Sequence, residues 1–237
     1  MISIICSRWQ IYIYIEIRII SKILLGVSVN LYHDLIIMVQ FNNTYSQLPK
    51  RFFAKAKAAK VPNPKILEFN WDLSNELGLK LESLATEELS EIFTGQKLLA
   101  GSCPIAQAYS GHQFGHFSAS LGDGRALLMG EILSPAGLHY DVQLKGSGPT
   151  PFSRNGDGKS SLGPVIREYI VSEAMRYLRV PTTRALCAIS TGELVYREQA
   201  LPGGVFTRIA SSHIRIGTFE YFASRGDNEA VKILADY

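Results

Sequence analysis

The run Leu138-His139-Tyr140-Asp141-Val142-Gln143-Leu144-Lys145 alternates apolar and polar residues, then breaks into Gly146-Ser147-Gly148. Side chains alternate across a β-strand, so Leu138, Tyr140, Val142 and Leu144 share a core face, and Asp141, Gln143 and Lys145 share the opposite one. The glycines stop the strand directly after Lys145. The residues leave two positions open for that lysine. It either faces solvent or points into a cleft formed by the glycine-rich loop.

The residues downstream of the strand favour the cleft. A Gly/Ser/Pro-rich loop runs from Gly146 to Gly163, and Pro164 opens a helix predicted to reach about Arg179. Proline is tolerated in a first helical turn, and Pro181 prevents continuation. Val165, Ile166, Tyr169, Ile170, Ala174, Tyr177 and Leu178 form an apolar stripe at helical spacing, with Glu168 on its flank. A glutamate there can reach back to a strand lysine and hold its ammonium toward a phosphate, as protein kinases do.

Upstream, Ser118 to Leu121 and Ala126 to Leu133 are apolar runs joined by Gly122-Asp123-Gly124-Arg125, which predicts a hairpin. Two glycines let a backbone approach a bound group closely, and Arg125 offers a planar fork suited to phosphate. An ordinary type I′ turn is the other reading. Downstream, Thr183 to Ile189, Glu193 to Glu198 and Gly204 to Ser211 are predicted strands. Asp72 to Leu77, a segment starting at Thr86, Phe219 to Ser224 and Asp227 to Tyr237 are predicted helices. Arg208 and Arg215 lie in apolar surroundings, where an arginine needs a carboxylate or a phosphate partner. Strands, one helix, then strands again predict an α+β fold rather than βαβ alternation.

Other chemistries are excluded. A net charge of +3 is too mild for a nucleic-acid binder. Cys6, Cys103 and Cys187 are few and far apart, which suits reduced thiols rather than a disulfide framework or a zinc site, and Cys187 reads as a buried thiol. Asn155-Gly156-Asp157-Gly158-Lys159-Ser160-Ser161 imitates a P-loop, but Ser153 stands where its first glycine is needed. The loop can still present backbone N–H groups to an anion. His112 and His116 sit among glycines that suit no helix, and no G-x-S-x-G occurs.

The first 37 residues differ from the rest. Ile11 to Ile20 reads as a strand, while Arg8, Glu16, Arg18, Lys22 and Asp34 interrupt every candidate membrane helix. Residues 1–37 are expected to be an extension translated upstream of a start at Met38, with an organellar presequence as the other possibility. Residues 38–237 are expected to form one unit.

That unit resembles the selenoprotein O family, also called YdiU. The motifs are Phe41-Asn42-Asn43-Thr44-Tyr45 with Leu48-Pro49, Tyr109-Ser110-Gly111-His112-Gln113-Phe114-Gly115, Leu121-Gly122-Asp123-Gly124-Arg125-Ala126, Gln143 through Arg154, Asp157-Gly158-Lys159, and Arg167-Glu168-Tyr169 on to Arg215. The resemblance implies a protein-kinase-like N-lobe, an antiparallel sheet with one key helix. It implies ATP with Mg²⁺ or Mn²⁺, and transfer of AMP to Ser, Thr or Tyr hydroxyls of protein substrates from an ATP bound in the reverse of the kinase orientation. Gly122, Gly124, Arg125, Lys145, Asp157, Gly158, Arg208 and Arg215 match ATP-contacting positions, and Lys145 and Glu168 match the phosphate-positioning ion pair. In the family the catalytic base and the metal ligands lie in a later C-lobe. The expectation is therefore an N-lobe alone, with no catalytic residue and no metal ligand in this chain, and no transferase activity. A non-catalytic nucleotide-binding module or remnant is the alternative. No nucleic acid or membrane partner is expected, and the expected location is cytoplasmic, or mitochondrial in a eukaryote.

Overall fold

The computed structural model describes residues 39–237. The expected extension and its strand at Ile11 to Ile20 lie outside them. In chain order the elements begin with β1 (Phe53–Lys55), β2 (Lys65–Phe69), α1 (Trp71–Glu76), α2 (Thr86–Ile92) and β3 (Ile105–Gln107). A small hairpin of β4 (Gly111–Gln113) and β5 (His116–Ser118) comes next, then β6 (Ala126–Leu133) and β7 (His139–Lys145). β8 (Ser160–Ser161) runs into α3 (Leu162–Tyr177), and β9 (Arg184–Tyr196), β10 (Ala200–Ala210), α4 (Ile216–Ala223) and α5 (Asn228–Asp236) complete the order. This is an α+β arrangement. Its main sheet is antiparallel in the order β1-β3-β6-β7-β10-β9-β2, with β8 on β10.

Local chemistry sets the helix ends. The Asn70 side chain accepts from the Leu73 N–H at 2.9 Å to start α1, and Asp227 accepts from Ala230 at 3.0 Å to start α5. Pro164 occupies the first turn of α3, where its missing N–H costs nothing. Among the described residues no helix is long and apolar enough to cross a membrane.

The sheet is covered on both faces. Leu127, Val142, Leu144, Val205 and Ile209 pack on one side with Leu73, Leu77, Leu81, Ile92 and Phe93 from α1, α2 and their connection. On the other side, Ile105 and Leu128 meet Phe222 of α4 and Ala230 and Leu234 of α5. Nearer β9, Ala185, Ala188 and Phe206 pack with Val165 and Tyr169 of α3. The polar alternates of β7 and β10, Gln143, Lys145 and Arg208, lie on the second face, because Val142, Leu144 and Ile209 occupy the first.

Three expectations change. Ser118 to Leu121 and Ala126 to Leu133 do not form a hairpin. β5 pairs with β4 instead, and the Leu121 and Gly122 N–H groups both donate to the Tyr109 carbonyl, which folds residues 121–124 back against the chain after β3. The two strands predicted at Thr183–Ile189 and Glu193–Glu198 are the single β9. Gly192 takes φ +74° inside it, and a register shift between Pro202 and Gly204 of β10 absorbs the irregularity. On the polar face of β7, Asp141 and Gln143 are buried. Finally, of the α3 stripe only Val165 is buried, with Tyr169 partly so, while Ile166, Ile170, Tyr177 and Leu178 are exposed. Cys187 is a fully buried free thiol, as expected.

Candidate nucleotide site

The glycine loop between β5 and β6 is held by the segment after β7. Thr150 donates its hydroxyl to the Asp123 carbonyl at 2.7 Å, and the Ser153 hydroxyl donates to the Gly124 carbonyl. Gly122 has φ +56°, and a Cβ there would overlap the Phe152 ring. Position 122 therefore needs glycine for both backbone and space. The loop ends at Arg125, whose carbonyl accepts from the Gly146 N–H at 2.7 Å, tying it to the residue after Lys145.

Lys145 closes β7 opposite Ala126 of β6 and Phe206 of β10. Its Nζ donates to both carboxylate oxygens of Glu168, at 2.6 and 2.8 Å. The helix that packs on Phe206 through Val165 thus delivers Glu168 one turn further along to the strand lysine. Burial pushes the Lys145 ammonium below its ordinary pKa, and the hydrogen bonds to Glu168 oppose that shift.

Arg208 sits directly opposite Gln143 across β10 and β7, and its Nε donates to Gln143 Oε1 at 2.8 Å. Burial lowers its affinity for a proton, and Arg215 adds like-charge repulsion. Arg215 lies at the start of α4. Its Nε donates to the His213 carbonyl at 3.1 Å, and its guanidinium stacks on Tyr109 with the carbon 3.9 Å from the ring centre. Asp157 is bound bidentately by Arg197, at 2.8 and 3.0 Å, and its pKa lies below the ordinary carboxylate value chiefly because of that pairing. Gly158 takes φ +64° against the Gly148 backbone, where no Cβ fits.

These elements enclose one cavity of about 420 Å³. Gly122, Gly124, Arg125, Lys145, Asp157, Gly158, Arg208 and Arg215 all line it, and Glu168 stands behind Lys145. Residues not singled out from the sequence join them: Tyr109, Asp123, Phe152, Arg154, Lys159 and Arg197. Arg197 carries no sequence signal, since it reaches the cavity only because the β9–β10 connection brings it to Asp157. Gln143 could have been suspected as a polar residue in a strand flanked by Val142 and Leu144. Seven basic side chains against two carboxylates, Asp123 and Asp157, give the cavity a positive field suited to a polyanion. Among the described residues, Arg125 has no side-chain partner and is exposed. His112 and His116 are placed on the β4–β5 hairpin, with His112 near Glu220, and no group of three His, Cys, Asp or Glu among the described residues could hold a metal ion.

A family described as protein adenylyltransferase SelO matches residues 35–237. The chain is 58% identical over 199 residues to a protein nucleotidyltransferase YdiU of Rhizobium rhizogenes, covering 84% of this chain and 39% of that protein. It is 57% identical over 204 residues to the protein of the same name from Maridesulfovibrio salexigens, covering 86% and 41%. A YdiU nucleotidyltransferase of Bradyrhizobium sp. strain ORS 278 is 57% identical over 197 residues, covering 83% and 40%. The chain spans about two-fifths of the length of these relatives.

Proposed function

The chain belongs to the protein adenylyltransferase SelO family, and on that premise we propose that residues 39–237 form the ATP-binding portion of an enzyme that transfers AMP to protein hydroxyls. The observation that carries the reading is the convergence of Arg125, Lys145, Arg208 and Arg215 on one cavity beside the backbone of Gly122 and Gly124. Nucleotidyl transfer is in-line displacement at phosphorus, catalysed chiefly by positioning and charge neutralisation. Fixed cations supply both. Lys145, aligned by Glu168, and Arg125, Arg208 and Arg215 bind the phosphates, while the glycine loop admits the nucleotide close to the backbone. The Lys145–Glu168 pair on a strand and the following helix also supports a kinase-like N-lobe.

The acceptors are Ser, Thr or Tyr hydroxyls, and the bound ATP presents its α-phosphorus to them. Mg²⁺ or Mn²⁺ is the metal the family implies, but the described residues do not fit one. Asp157 is engaged by Arg197, and Asp123 is fully buried, accepting from Gln107 and Gln143. No step is assigned to the metal, and neither catalytic base nor metal ligand is assigned to residues 39–237. This chain on its own is therefore expected to bind nucleotide without transferring it. Incubation with ATP labelled at the α- or the γ-phosphate, Mg²⁺ and a protein acceptor tests that. Bound but untransferred nucleotide is expected. Label from the α-phosphate on protein would contradict the assignment of chemistry elsewhere, and label from the γ-phosphate alone would make the reaction that of a kinase.

A further inference from the structure

Asp123 is fully buried between the two loop glycines, and it lines the same cavity as Arg208 and Arg215. Its Oδ2 accepts from the Gln107 N–H at 3.0 Å and from Gln143 Nε2 at 3.2 Å. Its Oδ1 has no hydrogen-bond partner, and the nearest cation is Arg215, with Nη2 3.9 Å away. Two guanidinium groups are thus drawn to one cavity with a single buried carboxylate beside them, since Asp157, the cavity's other acid, is held by Arg197. Nothing in the family's matched positions gives Asp123 a task.

We propose that Asp123 is a positioning residue that sets both arginines for an incoming phosphate chain, holding Arg208 through Gln143 and Arg215 by charge across the gap. The proposal rests on reading the cavity as a nucleotide site. The chemistry of the relay is directional. An ionised carboxylate only accepts hydrogen bonds, so it compels Gln143 to turn its NH₂ group inward. The amide oxygen is thereby left facing Arg208, where it accepts from Nε and an Nη of the guanidinium. Gln143 cannot reverse without placing oxygen against carboxylate and NH₂ against guanidinium. Register fixes the other half of the relay, because Gln143 and Arg208 are cross-strand partners. Across the gap, burial pushes the Asp123 carboxyl above its ordinary pKa, Arg215 and Arg208 oppose that shift by favouring the carboxylate, and the buried negative charge in turn offsets the mutual repulsion of the two arginines. The arginines are therefore aimed before any anion arrives, and the ordering cost of binding is reduced.

Asp123→Asn isolates this role. Asparagine keeps the volume and, with its oxygen in the Oδ2 place, an acceptor for Gln107 and Gln143, but its NH₂ group then faces Arg215 and the charge that offsets the repulsion between the two arginines is gone. The readouts are the arginine side-chain Nε–Hε signals in ¹⁵N NMR and the affinities for inorganic triphosphate and ATP. In the unaltered chain the Arg208 signal is expected to exchange slowly with water without ligand. In Asp123→Asn it exchanges at least tenfold faster, and triphosphate and ATP affinities both fall at least tenfold. Unchanged signals and affinities would mean that Asp123 only completes the loop's hydrogen bonds, and the proposal falls. If the unaltered chain binds neither triphosphate nor ATP while the Arg208 signal still responds to Asp123→Asn, the nucleotide reading fails and the positioning role stands. Should Asp123→Asn not fold, Gln143→Met severs the relay alone. Faster exchange at Arg208 with Arg215 unaltered then supports the proposal, and an unaltered Arg208 overturns it.

Discussion

Lys145 on β7 and Glu168 on α3 are joined through both carboxylate oxygens, at 2.6 and 2.8 Å, although 23 residues and a change of element separate them. The pair is partly buried, with side-chain exposures of 20% and 35%. Holding a flexible four-carbon ammonium in one place is a matter of binding geometry more than of stability, because partly exposed pairs contribute little to folding. Glu168→Gln should therefore lower ATP affinity about tenfold, equivalent to about 1.4 kcal/mol, while shifting unfolding free energy by less than about 1 kcal/mol. Parallel nucleotide titrations and urea unfolding check both halves.

Gly122→Ala should destabilise the chain by about 1–3 kcal/mol, since the new Cβ meets the Phe152 ring and the residue must keep φ +56°. Gly137→Ala is the control. It shares a positive φ, but a Cβ there meets nothing within 4 Å, so its cost is backbone strain alone and should be the smaller. The midpoint of urea unfolding measures each.

Acid should weaken the fold through His213. This residue is buried, its Nδ1 lies 3.1 Å from Asp141 Oδ2, and Nε2 has no partner. Burial lowers its pKa, and Arg208 adds to that, while Asp141 and Asp123 oppose it. The unfolded chain thus binds more protons below about pH 6.5, so stability is complete above that value and is lost as pH falls toward the lower folded pKa. The difference between unaltered and His213→Gln chains, followed by thermal melting from pH 7.5 to pH 5, cancels the carboxylates common to both. The gap between the two melting curves should narrow on acidification.

Helix α3 makes a packing prediction. Val165 is buried against Ala185, Ala188 and Phe206, whereas Ile170 is 60% exposed. Val165→Ala should cost about 1–2.5 kcal/mol by loss of buried methyl groups, and Ile170→Ser should fall within about 0.5 kcal/mol of zero. Chemical denaturation of the two variants separates the face that packs from the face that does not.

That contrast shows where sequence patterns informed the fold and where they did not. Alternation at Leu138 to Lys145 placed the strand and its lysine, and Pro164 placed the start of the helix to within a turn, because both depend on local sterics. Asp123 defeated the hairpin expectation. Asp-Gly is a strong turn signal, but a carboxylate that accepts from Gln107 and Gln143 commits the loop to tertiary partners that no local rule contains. The α3 stripe was visible as a period but not as a burial, since period alone cannot say which of two apolar flanks meets the sheet. Within the cavity, Lys145, Arg208 and Arg215 were legible as charges in apolar surroundings. Arg197 and Arg154 were not, because the fold rather than their neighbours in sequence brings them there.

The central claim is that the cavity around Lys145 binds a nucleotide polyphosphate. Calorimetric titration of the chain with ATP, beside Lys145→Ala, tests it most directly. Saturable one-to-one binding that weakens at least tenfold in the variant is the predicted result. No binding, or equal affinity in the two chains, would contradict it.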